Sequence, residues 1–408
     1  MSRKFIEKEG PIWIAQGIVN SEQYNQILGL YEDKKRVFGL LPIFGSILVG
    51  LGILTYVASN WQQIPDFWRL TLLISLMASL YGIGDYYHKK QHVKFGISFI
   101  GIGLIAFGAN IILIAQMFNI EAYSILSFIV WGLVGLLLTF IYQSRYLFLL
   151  TLIIFTIAQF TSAANFQQFS YTEAVIMIAG LGSYLWLNRS LLLSWAFSIS
   201  FIVHAILFVT TQQIEFIWVF VPILILYVCA DGIKDSRLAA PFQISAIASL
   251  ILFYLFIVLF TDDGVNIDVY ATLSEQYEFL ITILVLFVIS LFLKLNSSRG
   301  ASAWDWILSP LIVFLPNYMD LFGIMILFLF SLFVLWRGYV EHWDVKINVG
   351  TILFLLTTMI AYSKLTWDFM DRSLFFTIGG MLLLALSWFL NRRKKDFLKD
   401  IQGGPEHE

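Results

Sequence analysis

The chain is poor in the residues that soluble enzymes and secreted scaffolds depend on. Of its 408 residues 1 is cysteine, 5 are histidine and 8 are proline, and only 13% carry a charge. A single cysteine, Cys229, excludes an internal disulfide and a cysteine metal cluster, and its apolar surroundings read as those of a small buried hydrophobe. Formal net charge is -2, so no global field of either sign argues for nucleic acid or for an acidic partner. No Walker sequence, HExxH or nucleophile elbow occurs. No catalytic residue, cofactor or metal is therefore assigned, and an embedded enzyme would lack its acid, base or metal constellation. The N-terminal MSRKFIEKEG is charged and is not followed by a short apolar region with a small-residue cleavage site, so the first span is expected to direct insertion itself.

What is abundant is apolar surface. Hydrophobic residues make up 59% of the chain and aromatics 17%, far beyond a soluble domain. The fold class expected is all-α, a polytopic transmembrane helix bundle. Residues 1–36 read as a cytoplasmic helical hairpin, with Gly17 closing the first helix and Asn20 and Gln23 forming a capping box for the second. Residues 37–390 read as the bundle, and 391–408 as a basic and then polar cytoplasmic tail. About 14 apolar spans are expected, at 37–59, 69–87, 95–118, 123–142, 145–162, 171–187, 190–210, 215–231, 241–260, 277–295, 302–317, 321–338, 346–363 and 373–390. The eleventh is short, begins at Asp305 and is interrupted by Pro310 and Pro316, so a re-entrant hairpin is the alternative there. If all cross, every one of the 25 basic residues except Arg69, Lys364 and Arg372 falls on the cytoplasmic side, both termini included. The acidic 261–278 connection then becomes the longest external loop.

The third span, Phe95 to Ile120, is the one around which the others are expected to pack. Gly101, Gly108 and Ala115 recur every seven residues and offer a small-residue face for close helix approach. Asn110 and Gln116 add amides that lipid alone would not favour. With odd-numbered spans running outward, Asn60, Trp61, Asp66, Arg69, Asn110 and Gln116 come to the external side and could line one substrate pocket. The competing reading makes the amides interhelical bonds and the tryptophan a belt aromatic. Ionisable groups inside spans are few. His204 is the one expected near a midplane, while Asp85, Glu173, Asp231 and Asp305 fall at span ends within reach of water. His88 and His92 stand i, i+4 in HKKQH, but Lys89, Lys90 and Lys94 surround them, which favours a solvated loop over a metal site.

Three stretches carry a resemblance. They are Trp13-x3-Gly17-Ile18-x4-Gln23-x3-Ile27-x3-Tyr31, then Ala58-Ser59-Asn60-Trp61-Gln62-Gln63-Ile64-Pro65, and Gly108-Ala109-Asn110 to Ala115-Gln116-Met117-Phe118-Asn119. Over about residues 5–150 the chain resembles the bacterial predicted membrane proteins labelled domain of unknown function 2157. The resemblance implies a bacterial cytoplasmic membrane and carries no catalytic residues. Two functions follow as expectations. The first is a transporter or flippase-like permease, because many short-looped, glycine-rich spans suit alternating access and an external amide pocket could receive a neutral or lipidic substrate, although buried charge is scarce and no repeat relates the halves. The second is a membrane scaffold or sensor that docks a cytoplasmic protein through residues 1–36. Membrane lipids are the other expected partner, and no nucleic acid is.

Overall fold

A computed structural model describes residues 9–11, 13–14, 16–30, 36–60, 65–121, 123–260, 273–296, 304–314, 319–366, 373–374, 377–381, 384–385 and 388. Trp61, Lys34, Lys35, most of the 261–278 connection and the 391–408 tail lie outside these residues. Helices follow one another with short turns: α1 Ser21–Leu30, α2 Arg36–Asn60, α3 Asp66–Lys89, α4 Val93–Met117, α5 Leu126–Tyr142 and α6 Arg145–Phe166. Next comes an interrupted helix, α7 Tyr171–Ile176, a π turn Met177–Leu181 and α8 Gly182–Asn188, and then α9 Leu191–Thr211. A 3-10 turn, Phe216–Val219, leads into α10 Phe220–Gly232, followed by α11 Ser236–Phe260 and α12 Leu273–Leu295. Two 3-10 turns, Trp304–Leu308 and Pro310–Phe314, precede α13 Met319–Val340 and α14 Asp344–Thr366. Among the described residues there is no strand, and 8 helices are long and apolar enough to cross a membrane.

Solvation is inverted relative to a soluble bundle. In α9, Ser194, Ser198, Ser200 and His204 are buried while Leu191, Leu192, Ile199 and Ile206 are exposed. That pattern suits a hydrocarbon solvent, where helices must satisfy their own backbone and polar side chains turn inward. Helix ends obey the same demand. Gln91, Asn119, Gln143, Gln167, Arg189, Gln213 and His342 all take positive φ at or near a helix end. Glycine is usual at such positions, yet these residues bring a polar arm. Gln143 Nε2 donates to the Phe140 carbonyl at 2.7 Å and Gln167 Nε2 to that of Ala164 at 3.2 Å, satisfying carbonyls the helix leaves over.

The chain divides into two compact units, one of 1–122 with 137–150 and one of 123–136 with 151–408. In the first, the N-terminal hairpin turns at Gly17 (φ 70), with Ile18 N–H donating to Trp13 O and Gly17 N–H to Ile14 O, a Schellman close. Asn20 and Gln23 form the reciprocal capping box, at 3.0 and 2.7 Å. Helix α4 is the most buried of the eight long helices, and Gly101, Gly108 and Asn110 are all enclosed. Glycines admit three close contacts: Gly96 of α4 meets the backbone of α3 at Gly84 and His88, Gly101 of α4 faces the ring of Tyr146, and Gly50 of α2 receives Ile105 of α4. The first and third spans are thus neighbours. Asn110 Nδ2 donates to the Leu73 carbonyl of α3 at 3.1 Å and lies 3.6 Å from Met77 Sδ. Asn110→Ala should therefore cost about 0.6 to 2 kcal/mol, the usual worth of an interhelical amide bond in a membrane. Thermal unfolding in one detergent checks it, and an unchanged midpoint would assign Asn110 no packing role.

The second unit has its apolar core on α10, α11, α12 and α13, with Phe220, Ile223, Tyr227, Leu250, Tyr254, Phe279, Leu308 and Leu327 among the buried residues. The eleventh expected span departs from the sequence reading, because its described residues form no α-helix. Pro310 and Ser309 divide it into two 3-10 pieces, yet it traverses the unit. Trp306 Nε1 donates to Ser290 Oγ near the end of α12 at 3.0 Å, while the Phe314 ring lies 6.2 Å from that of Phe279 near its beginning. Those contacts are eleven helical residues apart along α12, roughly 16 Å. Helix α13 then returns, and Phe333 in its last turns stacks on Trp304 at 5.7 Å. The described residues 304–314 thus run along α12 and do not fold back on themselves.

Candidate functional site

Two networks of buried polar side chains stand out, both in the second unit. The first forms where α10 and α12 end and the broken segment begins. Asp231 is the second-last residue of α10 and Lys294 sits in the last turn of α12, and each is 6% exposed. Lys294 Nζ lies 3.8 Å from Asp231 Oδ2 and donates to the Tyr227 hydroxyl at 2.7 Å, with the ammonium 4.7 Å from that ring's centre. Tyr227 in turn donates to Asp305 Oδ2 at 2.7 Å. Ser290 Oγ and Gln243 Nε2 donate to the two Asp231 oxygens at 2.5 and 2.7 Å. Arg337, in the last turn of α13, pairs with Glu341. The network sets two carboxylates, Asp231 directly and Asp305 through Tyr227, against the Lys294 ammonium, and the hydrogen bonds use the lone pairs that the ion pair leaves over. Charges are retained in such surroundings only in company of this kind.

Just beyond the helix ends the charge pattern continues. Asp235, in the turn between α10 and α11, accepts from the Arg237 backbone N–H at 2.9 Å and pairs with the guanidinium of Arg189 at 3.6 Å. The Arg237 amide first, and then its guanidinium and that of Arg189, hold the Asp235 carboxyl below the usual carboxylate range.

The second network joins α6, α7 and α9. Glu173, in the first turn of α7, is 0% exposed and His204 is 4% exposed. His204 Nδ1 lies 2.7 Å from the Ser200 carbonyl, and Nε2 lies 3.3 Å from both Glu173 oxygens. Gln159, with its amide turned toward the acid, donates to Glu173 Oε2 at 3.1 Å and accepts from the Ser170 N–H at 3.3 Å. Ser170 caps α7 by accepting from the Glu173 N–H at 3.4 Å. The π turn starts one helical turn later, and Met177 Sδ faces Ser200 Oγ at 3.6 Å. Thr156 and Ser200 share a 2.7 Å hydroxyl bond beside it.

These networks correct the sequence reading of the span ends. Glu173, Asp231 and Lys294 stand near the ends of their helices, but their side chains are buried and paired with groups on neighbouring helices. Of the residues expected in an external pocket, Asn110 directs its amide at α3, and Asp66 and Arg69 form an i, i+3 pair at 3.4 Å. Gln116 is exposed at the end of α4, while Trp61 and the side chain of Asn60 lie outside the described residues. Among the described residues no three histidine, cysteine or acidic side chains converge as metal ligands.

Residues 11–148 match the model of a family described as predicted membrane protein (DUF2157). No curated protein and no solved structure matches the chain. The match agrees with a membrane protein of several apolar helices. It ends before Glu173 and Asp231, so both buried networks lie in the part of the chain that it does not reach.

Proposed function

We propose that this membrane protein is a transporter of the bacterial cytoplasmic membrane, with both termini cytoplasmic, that moves a small charged or zwitterionic solute through its second unit. The observation that carries the reading is the network of buried Asp231, Lys294 and Tyr227 with Asp305, beside a segment made of two 3-10 pieces and not of a continuous helix. Discontinuous segments leave backbone groups open to a solute, and intramembrane charges mark solute and ion routes. A zwitterion suits the site because its ammonium and carboxylate can replace Lys294 and Asp231 as partners, so neither is left alone in the interior. The neutral or lipidic substrate expected from the sequence rested on an external amide pocket, whereas the buried charges of the second unit favour a charged or zwitterionic one. In the first unit, Asn60, Trp61, Asp66, Arg69, Asn110 and Gln116 are proposed as an external contact set.

Solute-evoked currents from the full-length protein in liposomes on a solid-supported membrane test the reading. Panels of amino acids, organic acids and polyamines should include a class that evokes current, and Asp231→Asn should reduce it at least about tenfold, as removal of a binding charge does. No current from any panel, with the protein folded in the bilayer, would sink transport. The scaffold that docks a cytoplasmic protein through residues 1–36 would then be the better proposal.

A further inference from the structure

We infer that Glu173 and His204 form a proton-binding site, holding one exchangeable proton between the carboxylate and Nε2 of the imidazole. The assignment follows from the hydrogen-bond inventory. Ser200 O is an acceptor only and lies 2.7 Å from Nδ1, so Nδ1 carries hydrogen. Nε2 then faces the two oxygens of Glu173 at 3.3 Å. With no proton between them, lone pairs would oppose lone pairs and a bare negative charge would sit in an enclosed site. One proton removes both problems, whether as a carboxylic acid donating to Nε2 or as a carboxylate accepting from an imidazolium. Both forms are neutral as a pair, and losing the proton leaves a charge of -1.

The surroundings fit exchange. Among the described residues, the groups bonded to the pair and to its Ser200 partner are uncharged: Gln159 and Thr156 on α6, Ser200 on α9, Ser170 at the cap and Met177 in the π turn. Glu215 follows the end of α9 in the chain. Gln159 holds the carboxylate form through its 3.1 Å bond, so the deprotonated state has a donor waiting. Glu173 is in the first turn of its helix and Tyr171 beside it is exposed, so the proton has less than one helical turn to travel. On release, the O–H or N–H bond breaks and the proton passes to water at that end. On binding the steps reverse, and no other reactant is needed. The π turn adds a place where α7 and α8 can repack when the charge changes, since such bulges hold alternative backbone bonding within one helix. This inference deepens the transport reading and rests on it, naming the proton as the coupling ion.

The test is an infrared titration of the full-length protein in nanodiscs over about pH 4 to 10, the range in which carboxyl and imidazole groups exchange protons. A carboxyl band should change reversibly with one proton per chain, vanish in Glu173→Gln, and shift by about tenfold or more in proton affinity in His204→Gln. Identical titrations of wild type and Glu173→Gln would overturn the site. If Glu173→Gln does not fold, Gln159→Leu takes its place, because loss of the donor to the carboxylate should move the same band; an unmoved band in both it and His204→Gln overturns the site equally. A titrating band without solute-evoked current defeats the transport reading alone, whereas current without the band defeats only the proton site.

Discussion

Asp231→Leu is expected to destabilise the protein by about 3 to 5 kcal/mol, and Lys294→Met by a similar amount, while the double variant should recover most of the loss. The asymmetry has a simple origin. Each single change takes an opposite charge away from a buried partner: Lys294 would keep the Tyr227 hydroxyl and lose the Asp231 carboxylate, and Asp231 would keep Ser290 and Gln243 and lose the Lys294 ammonium. Replacing both removes two desolvated charges at once, which in comparable buried pairs is often neutral or stabilising. Unfolding midpoints of the four proteins in one detergent close a double-mutant cycle. Additive losses would show that the two side chains are not coupled, whatever their separation. The same proteins inform the function: the double variant should be folded and evoke no solute current, because a stable apolar replacement cannot exchange partners with a zwitterion. A double variant that still carries current would place the solute route elsewhere.

That network also shows where sequence reading stops. The positions of the helices were legible, since apolar runs such as 145–162 reappear as Arg145–Phe166 and 95–118 as Val93–Met117. So were the hairpin's cap at Asn20 and Gln23 and its turn at Gly17, because these motifs are local. Burial at a helix end is not local. Asp231, Lys294, Asp305 and Arg337 each look like interface residues when their own helix is considered alone. A usable signal was present in the alternation of spans, which brings these four to one membrane level whichever way the chain is oriented. It likewise brings Glu173 and His204 toward one side. Opposite charges that share a level in different spans are candidates for pairing, and here the structure pairs Lys294 with Asp231 and His204 with Glu173. The 3-10 course of 304–314 was visible only as two prolines, because whether such a segment turns back or crosses depends on α12 lying alongside it.

The largest effect in the first unit is expected from Gly96→Leu, which should remove most of the folded protein. Helices α3 and α4 cross with their backbones nearly touching. A Cβ on Gly96 would lie 2.6 Å from the Gly84 carbonyl oxygen and from the His88 nitrogen, and one on Gly84 would lie 3.0 Å from the Gly96 oxygen. Ordinary overpacking costs about 1 to 3 kcal/mol because side chains shift to make room. Here the obstructing atoms are backbone, held by the helix's own hydrogen bonds and by the tight turn at Gln91 (φ 67), so the helices themselves must separate. Separation would pull the Asn110 amide off the Leu73 carbonyl as well. The hairpin of α13 and α14 is built the same way, with a Cβ on Gly350 falling 2.8 Å from Leu335 N and one on Gly338 falling 2.8 Å from Ile347 N, around a turn at His342 (φ 52). Gly350→Leu should therefore fail alongside Gly96→Leu. Gly82→Leu is the control, since nothing lies within 4 Å of a Cβ there and leucine on that exposed face would meet lipid. Monodisperse yield after extraction, read by fluorescence-detected size exclusion, separates the cases. Equal yields of Gly96→Leu and Gly82→Leu would mean that the close crossing of α3 and α4 is not what holds the first unit together.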